Sequence, residues 1–404
     1  MKSNYKHIWP KITKRTIKAV LRELEKGEIS IYDRSGIFER FEDRFASYHK
    51  VKYALLTSSG TAALHSAMVA CGFEKGDEVI CPAYTFYATV TPIFQTGAIP
   101  VLCDSKENGN IDSKKIEPLI TSKTKAVIVT HMWGIPCDME EISSICQKHK
   151  LMLIEDCSHA HGAKMGNKHV GTFGDIAAFS LQGQKIITGG EGGIIITNNK
   201  ELYDRALLFG HYNKRCKQEI SPSSPYYAYA ITGFGLKLRA HPLAIAIANE
   251  QFDHLDQWLK AKNNNAKYLS SLLKDIPGIK TPNINDKFYP SWYAYTIQFN
   301  NNRFDVSTDN ICKELIEEGL LDADKPGSTC PLNMLKLFQD PSLLYPEYKN
   351  LVGYKVGDFP RAEQFFNQTI KLPIDIYESK KYKAVLNKYA AILEKVVKRH
   401  LVAN

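Results

Sequence analysis

The sequence predicts an α/β fold with a mostly parallel central sheet enclosed by helices, followed by a smaller α+β domain. Between residues 53 and 198, short apolar runs alternate with helical stretches. This alternation is typical of parallel strands joined by crossover helices. With 404 residues, 44% of them hydrophobic, the chain is long enough for two or three domains. We expect a large domain over residues 1–255 and a smaller one over residues 256–404.

Two helices are expected before the first strand. Residues 11–26 are charged and amphipathic, which predicts a helix on the surface of the large domain. Residues 38–48 place Phe41, Phe45 and Tyr48 on one face of a second helix. The predicted strands of the sheet are residues 53–56, 78–81, 101–103, 126–130, 152–154, 177–180 and 193–197.

The chain changes character after the predicted sheet. Residues 217–229 contain paired prolines and serines, which predict an irregular loop. A long helix is expected from Pro242 to about Lys262. In the smaller domain, residues 292–299 alternate like a strand and residues 381–400 predict a final helix.

Composition excludes several classes of protein. The formal charge of +9 is spread along the chain without a basic run, so we expect no nucleic-acid partner. The nine cysteines include no CxxC pair, which argues against a disulfide framework or a metal site and for a reducing compartment. The sequence has no apolar run of the length that a signal segment or a membrane span would require. We therefore expect a cytoplasmic protein without a membrane partner.

Residues 179–193 are the most informative part of the chain. An apolar strand ends there in a polar turn that holds Lys185, and a pair of glycines follows. A lysine at the mouth of a sheet, in a turn that glycine allows to fold tightly, can form a Schiff base with an aldehyde cofactor. Taken alone, a solvated lysine before a glycine hairpin explains the same pattern.

Other suitable groups stand at the ends of predicted strands nearer the N-terminus. Asp156 can pair with a protonated pyridine nitrogen or simply cap its strand. His159 can flank a cofactor ring or pack as a hydrogen-bonded residue. Gly60 and Thr61 open a helix whose N–H groups can face an anion, although such residues cap most helices. Phe86 can stack on a flat heterocycle or serve as a core aromatic.

In chain order these pieces are a phosphate turn, a stacking aromatic, a carboxylate and a lysine. All fall at the carboxyl ends of predicted strands, where open α/β sheets bind ligands. The chance that all four features occur together without a common function is far lower than the chance for any one of them.

On these motifs the chain resembles the DegT/StrS-type sugar aminotransferases, a pyridoxal-phosphate family with the aspartate aminotransferase (type I) fold. The resemblance runs from about Ile31 to the C-terminus. Its motifs are Ser59-Gly60-Thr61-Ala62-Ala63-Leu64, Gly76-Asp77-Glu78-Val79-Ile80, the segment from Glu155-Asp156 to Gly162-Ala163, Gly174-Asp175 with Phe179-Ser180, and Lys185 with Gly190-Glu191-Gly192-Gly193.

The resemblance implies a role for each matched position. Lys185 is implied to be the catalytic residue that bonds covalently to pyridoxal 5'-phosphate, and Asp156 to pair with the ring nitrogen. The other implied cofactor contacts are Gly60, Thr61 and Ser180 on the phosphate, and Phe86 and His159 on the ring.

One motif departs from the family pattern. The family usually has Gly-Tyr-Asn-Tyr-Arg at this point, and its Asn reaches the phosphate of the neighbouring subunit. Residues 235–239 read Gly-Leu-Lys-Leu-Arg, so Lys237 stands where that Asn is expected. An ammonium group can bind phosphate as a point charge, and a solvated loop lysine is the alternative. The resemblance also implies a homodimer with shared active sites.

The implied reaction is a transamination. An amino-acid donor, expected to be L-glutamate, converts the cofactor to pyridoxamine 5'-phosphate, and Lys185 then moves the proton while the amino group passes to a keto sugar. The acceptor is expected to be nucleotide-linked or to be a simpler ketose or polyol that bears a phosphate. The product would serve the biosynthesis of amino sugars, surface glycans or secondary metabolites.

Two alternative functions are compatible with the same scaffold. A pyridoxamine-phosphate-dependent sugar dehydratase of the same fold has histidine in place of the lysine, so Lys185 argues against it. A non-catalytic regulator on this scaffold typically carries a DNA-binding domain, and no helix-turn-helix pattern precedes Ile31. Further candidate pocket residues, each also explained by packing, are Trp133, His211, Tyr289 and Tyr293.

Overall fold

The computed structural model describes residues 7–402. In chain order the strands are β1 (Tyr53–Thr57), β2 (Glu78–Pro82), β3 (Tyr84–Phe86), β4 (Ile99–Cys103), β5 (Thr124–Thr130), β6 (Met152–Asp156), β7 (Lys164–Met165), β8 (Lys168–His169), β9 (Ile176–Ser180), β10 (Gly193–Thr197), β11 (Ile279–Lys280), β12 (Phe288–Tyr289), β13 (Tyr295–Phe299), β14 (Thr329–Pro331) and β15 (Thr369–Leu372). The helices are α1 (Lys14–Glu25), α2 (Gly36–His49), α3 (Gly60–Cys71), α4 (Thr91–Thr96), α5 (Ser113–Ile116), α6 (Met139–His149), α7 (Lys200–Gly210), α8 (Lys214–Glu219), α9 (Pro242–Phe252), α10 (Leu255–Leu273), α11 (Thr308–Glu317), α12 (Lys336–Gln339), α13 (Pro360–Gln368) and α14 (Lys380–His400).

The centre of the fold is a seven-stranded sheet in the order β1-β10-β9-β6-β5-β2-β4. Strand β10 pairs antiparallel with both of its neighbours, and the other four pairings are parallel. Smaller antiparallel sheets join β11, β13 and β15, join β12, β7 and β8, and pair β14 with β3. The predicted mostly parallel α/β sheet is therefore confirmed.

Burial on both faces explains why the strands read as continuous apolar runs. In β5, Ala126 and Ile128 pack into the core on one side of the sheet. Val127 and Val129 pack into a separate core on the other side. Successive strand residues point to opposite faces, so a strand covered on both sides needs apolar residues at every position.

A third core, formed by residues 266–397, belongs to the C-terminal part of the chain. Helix α10 contributes to two cores, because Leu255 and Leu259 pack toward the large sheet while Leu269 and Leu273 pack into the C-terminal core. This helix connects the two parts of the molecule. The domain boundary at residue 255 stays a prediction.

Three local predictions need correction. The helix expected from Pro242 to about Lys262 is interrupted after Phe252, and α10 then runs to Leu273. The expected loop at residues 217–229 contains the end of α8 and a 3₁₀ turn at Pro225–Tyr229. Strand β13 starts at Tyr295 rather than at residue 292, because Trp292 has a left-handed φ of 53° that an extended strand cannot contain.

Within residues 7–402, no helix is both long enough and apolar enough to span a bilayer.

Candidate active site

A cavity of about 360 Å³ opens at the carboxyl end of the central sheet. Strands β5, β6 and β9 contribute their last residues to its wall, and α3 contributes its first turn. Seven of the eight residues predicted for the site line this cavity: Gly60, Thr61, Phe86, Asp156, His159, Ser180 and Lys185. The sheet therefore brings together residues from four separate segments at the edge where α/β proteins bind ligands.

Lys185 lies in a tight turn at the cavity wall. Its main-chain N–H donates to the Gln182 carbonyl over 2.9 Å. The residue is only 9% exposed, and its Nζ lies 4.5 Å from the centre of the Tyr293 ring. Burial lowers the pKa of Lys185 from 10.5 to about 8, and the Asp156 charge opposes part of that change. A larger fraction of this amine than of an exposed lysine is therefore neutral near physiological pH.

Asp156 is a buried carboxylate held by two donors. The Thr89 hydroxyl donates to Oδ2 over 2.7 Å, and the Ser158 main-chain N–H donates to Oδ1 over 2.9 Å. Thr89 is fixed in turn by hydroxyl contacts with Thr85 at 2.9 Å and Thr130 at 3.3 Å. Because both donors orient the carboxylate at the end of β6, Asp156 is a rigid negative group in the cavity wall.

The start of α3 and the end of β9 touch each other. A Cβ added to Gly60 would lie 2.5 Å from the Cβ of Ser180, so only glycine fits at this position. The Ser59 hydroxyl caps the helix by accepting from Ala62 N–H over 3.0 Å. The main-chain N–H groups of Gly60 and Thr61 come before that of Ala62, and both residues line the cavity. This geometry suits an anion bound at a helix N-terminus.

Aromatic rings enclose another part of the cavity. His159 and Tyr293 stack with their centres 3.8 Å apart and their planes 4° apart. Tyr293 donates its hydroxyl to Gln184 Oε1 over 3.0 Å, and Trp133 stacks 5.8 Å from His159. Burial holds the pKa of His159 well below its usual range, so the ring is neutral. The ring of Phe86 packs against the ring of Tyr87 with the two ring centres 4.2 Å apart.

Lys237 does not line the cavity that holds Lys185. It borders a separate surface cavity of about 310 Å³, with His211 on the wall. Other residues of this second cavity include Tyr32, Lys214 and Arg239. Tyr289 borders a third cavity. Of the four further pocket candidates (Trp133, His211, Tyr289 and Tyr293), only Tyr293 lines the cavity of Lys185 among the described residues. The contact of Lys237 with the phosphate of a neighbouring subunit stays a prediction.

Several wall residues were not predicted from the sequence. Thr89 touches Asp156 because a 3₁₀ turn follows β3, and its spacing of four residues from Thr85 is the only sequence signal for this contact. Ser328 and Thr329 arrive from the C-terminal part because β14 pairs with β3. No local pattern at those two residues indicates such pairing.

Glu155 supports the strand that carries Asp156. It accepts hydrogen bonds from the main-chain N–H groups of Gly171, Phe173 and Gly174. Cys137 N–H donates to His131 Nδ1 over 3.0 Å, so the proton of this imidazole is on Nε2 and is donated to Glu155 over 3.1 Å. The satisfied network locks the carboxyl end of β6.

Comparison with known proteins shows the family of the chain. The sequence profile of the DegT/DnrJ/EryC1/StrS aminotransferase family matches residues 10–387. The chain belongs to that family. The match starts well before Ile31, where the resemblance was expected to begin.

Two relatives and one solved structure illustrate the similarity. The chain is 35% identical over 288 residues to a GDP-perosamine synthase from Escherichia coli O157:H7, covering 71% of this chain and 76% of the relative. It is 34% identical over 300 residues to the L-glutamine:2-deoxy-scyllo-inosose aminotransferase of Streptomyces kanamyceticus, covering 71% and 69%. The crystal structure of an aminotransferase from Psychrobacter cryohalolentis superposes with a TM-score of 0.85 at 26% identity, covering 98% and 99% of the two chains.

Membership of the DegT/DnrJ/EryC1/StrS family confirms the predicted fold and enzyme class. The family consists of pyridoxal-phosphate-dependent sugar aminotransferases with the type I fold. Small-molecule sugars and amino donors are the substrates typical of it.

Proposed function

We propose that this protein transfers an amino group from L-glutamate to the ketone of a keto sugar, either nucleotide-linked or phosphorylated, for the biosynthesis of amino sugars or surface glycans. The proposal extends the family assignment to the residues of this chain. Lys185 carries it, because a buried lysine with a lowered pKa faces a cavity that also holds an anion-binding turn and a carboxylate.

The cavity residues fit pyridoxal phosphate. The close approach of Gly60 and Ser180 places main chain and a hydroxyl beside the first N–H groups of α3. The Ser180 hydroxyl accepts from Gln182 N–H over 3.3 Å and keeps its own proton to donate to a phosphate. Asp156 offers a buried carboxylate to a protonated pyridine nitrogen. Phe86 and His159 line the cavity and are the proposed aromatic contacts of the ring, with Tyr293 already stacked on His159. The proposed phosphate ligands are Gly60, Thr61 and Ser180.

The reaction depends on the amine of Lys185. When bound, pyridoxal phosphate supplies an aldehyde that bonds to amines and a ring that accepts electrons from the adjacent carbon. With a pKa of about 8, Lys185 Nζ has the neutral fraction that a nucleophile needs. The same nitrogen, once released, could take a proton from the substrate carbon and return it two atoms away, to the cofactor carbon that carried the aldehyde.

Recognition of the anionic donor points beyond the single chain. Among the lining residues of the cavity within the described range 7–402, Lys185 is the only lysine or arginine. A donor carboxylate and a sugar phosphate need cationic partners. Lys214, Lys237 and Arg239 meet at the second surface cavity. We propose that a homodimer brings this group to the neighbouring subunit's site.

Mixed subunits test the shared site. Lys185→Ala subunits and Lys237→Ala subunits should each have little activity alone. Mixing the two variants should restore part of the activity, because each mixed dimer would contain one site with both lysines and one site with neither. A Lys217→Ala variant is a suitable control for loss of an exposed lysine. A fully active monomer in sedimentation would contradict the proposal.

Half-reactions test the proposed chemistry. Wild-type protein loaded with cofactor and given L-glutamate should release 2-oxoglutarate in one turnover and continue only after a keto sugar is added. L-glutamine belongs in the same experiment, because its name appears in that of the Streptomyces kanamyceticus relative. Release of water from a deoxysugar without consumption of an amino donor would instead identify a dehydratase.

We also propose that the protein works in the cytoplasm. All nine cysteines are free in the structure, and all but Cys71 are buried. Burial raises the pKa of thiols such as Cys137 and keeps them unreactive. Free thiols in this number suit a reducing compartment. A thiol titration of freshly extracted, denatured protein should detect all nine, and fewer would argue for an oxidising location.

A further inference from the structure

The N-terminal strap, defined here as residues 7–13, contacts both the turn that holds Lys185 and the C-terminal part of the chain. Its Trp9 donates the indole N–H to the main-chain carbonyl of Lys185 over 3.1 Å. The two residues are 176 positions apart in the sequence. The side chain of Trp9 in the strap therefore contacts the main chain of Lys185, the proposed reactive lysine.

The indole of Trp9 is held from two sides. It packs edge-on against Trp258 with ring centres 5.8 Å apart, and it stacks on His7 at 6.3 Å. Trp258 lies on α10, the helix that connects the two parts of the molecule. These two packing contacts fix the direction in which the indole N–H points toward the turn that holds Lys185.

The strap is also anchored to the C-terminal part. The main-chain N–H of His7 donates to both carboxylate oxygens of Asp322, over 3.2 and 3.0 Å. The His7 ring lies 3.8 Å from a carboxylate oxygen of Asp375. One end of the strap is therefore attached to the C-terminal part while Trp9 holds the lysine turn.

The lysine turn needs external support because its sequence is permissive. Gly183, Gly189 and Gly190 surround Lys185, and Gly190 has a left-handed φ of 85°. Within the turn the Lys185 N–H is satisfied by Gln182, and the Trp9 bond fixes the opposite side of the same residue. Two bonds on one residue's main chain fix the position and direction of the Cα–Cβ bond from which the Lys185 side chain extends into the cavity wall.

We propose that Trp9 is a positioning residue for Lys185: its indole N–H holds the lysine main chain so that Nζ reaches the aldehyde of the cofactor. The inference rests on the proposed function, in which Lys185 forms that bond. Loss of the indole donor should slow formation of the bond without weakening the binding of a cofactor form that cannot make it.

Two substitutions separate the donor from the ring. Trp9→Phe keeps a large aromatic ring and removes the donor. Trp9→His has a smaller ring, but its Nε2 lies as many bonds from Cβ as the indole nitrogen does, so it restores a donor. Tyr348→Phe is the matched control, since Tyr348 also donates to main-chain carbonyls, those of Phe94 and Ala98, at 2.9 Å.

The measurement compares two ligands with cofactor-free protein. Pyridoxamine phosphate, which lacks the aldehyde, reports binding alone. Pyridoxal phosphate followed by borohydride reduction and peptide mass analysis reports the rate of covalent attachment to Lys185. For Trp9→Phe we expect that rate to fall about tenfold with pyridoxamine phosphate affinity unchanged, because small misplacement of a reacting group is costly. Trp9→His should recover most of the rate, and Tyr348→Phe should match wild type.

Each outcome decides between defined alternatives. Equal attachment rates in Trp9→Phe and wild type, or a slower rate in Trp9→His than in Trp9→Phe, would show that Trp9 only packs. If Trp9→Phe does not fold, Trp9→Leu is the second donor-free variant and is judged by the same comparison. If wild-type protein is labelled at another lysine, or Lys185→Ala is still labelled, the proposed function itself is wrong.

Discussion

Two lysines of this protein are buried to the same degree in different surroundings. Lys185 is 9% exposed and Lys262 is 8% exposed. Burial lowers the pKa of each from 10.5 to about 8, and a neighbouring aspartate raises it in part, Asp156 for the first and Asp375 for the second. By pKa alone the two lysines cannot be distinguished.

Their contacts distinguish them. Lys262 Nζ donates to the Ile374 carbonyl over 2.8 Å, which fixes it between α10 and the chain after β15. Lys185 Nζ faces an aromatic ring and a cavity of about 360 Å³, where a ligand can approach. A lowered pKa therefore marks burial, and an open approach marks reactivity.

The largest expected effect is on turnover. Lys185→Ala should reduce kcat by at least about 10⁴-fold, because it removes the group proposed as both nucleophile and proton carrier. Lys262→Met should change kcat by less than about tenfold, since that nitrogen already has a structural partner. Steady-state kinetics with a keto-sugar acceptor provides the measurement. Comparable losses in both variants would remove the distinction between the two lysines.

The aspartates should differ in the same way. Asp156→Asn is expected to reduce kcat by roughly 100-fold or more while cofactor remains bound, because the ring nitrogen loses a charged partner. Asp375→Asn should change kcat by less than about fivefold, since its charge acts on Lys262. Cofactor content and kcat are measured together. Near-normal turnover of Asp156→Asn would reduce Asp156 to a strand-end cap.

A third comparison uses pH. The neutral amine is the nucleophile, so the rate of covalent attachment to Lys185 should fall about tenfold for each pH unit below about 8 and level off above it. Lys262→Met should leave this profile unchanged. Borohydride trapping across the pH range measures it. A midpoint near 10.5 would show that the Lys185 amine is hydrated rather than buried.

The sequence is sufficient to predict the sheet and most of the cavity, because both depend on strands. A buried parallel strand needs a continuous apolar run, and its carboxyl end lies at the binding edge, so the strand pattern alone places Asp156, Ser180 and Lys185 together. Thr89 follows β3 in a 3₁₀ turn, which strand periodicity does not indicate.

Contacts made by tertiary packing could not be predicted. Trp9 meets Lys185, and Thr329 meets Phe86, over separations that no local pattern records. The break between α9 and α10 falls at Asp253 and His254, which are neither glycine nor proline. The difference between Lys185 and Lys262 belongs to the same class, because it depends on partners that are distant in the sequence.

The smallest expected effect is on stability, and its sign opposes function. In the folded protein Lys185 has a pKa of about 8, against 10.5 when unfolded, so below pH 8 the folded state holds a charge that burial disfavours. That penalty, roughly 3 kcal/mol at most, decreases as pH rises from 8 to 10.5, where the folded state has lost its proton before the unfolded state.

Lys185→Met should therefore stabilise the cofactor-free protein at pH 7, and the gain should decrease by pH 10. Lys262→Met removes a similar charge but leaves the Ile374 carbonyl without its donor, which costs about 1–3 kcal/mol and offsets the gain. Urea unfolding of both variants and wild type at the two pH values measures the difference. Stabilisation of Lys262→Met equal to that of Lys185→Met would mean that the hydrogen bond to Ile374 contributes nothing. Destabilisation by Lys185→Met at pH 7 would mean that the Lys185 side chain supports the fold in addition to its proposed catalytic role.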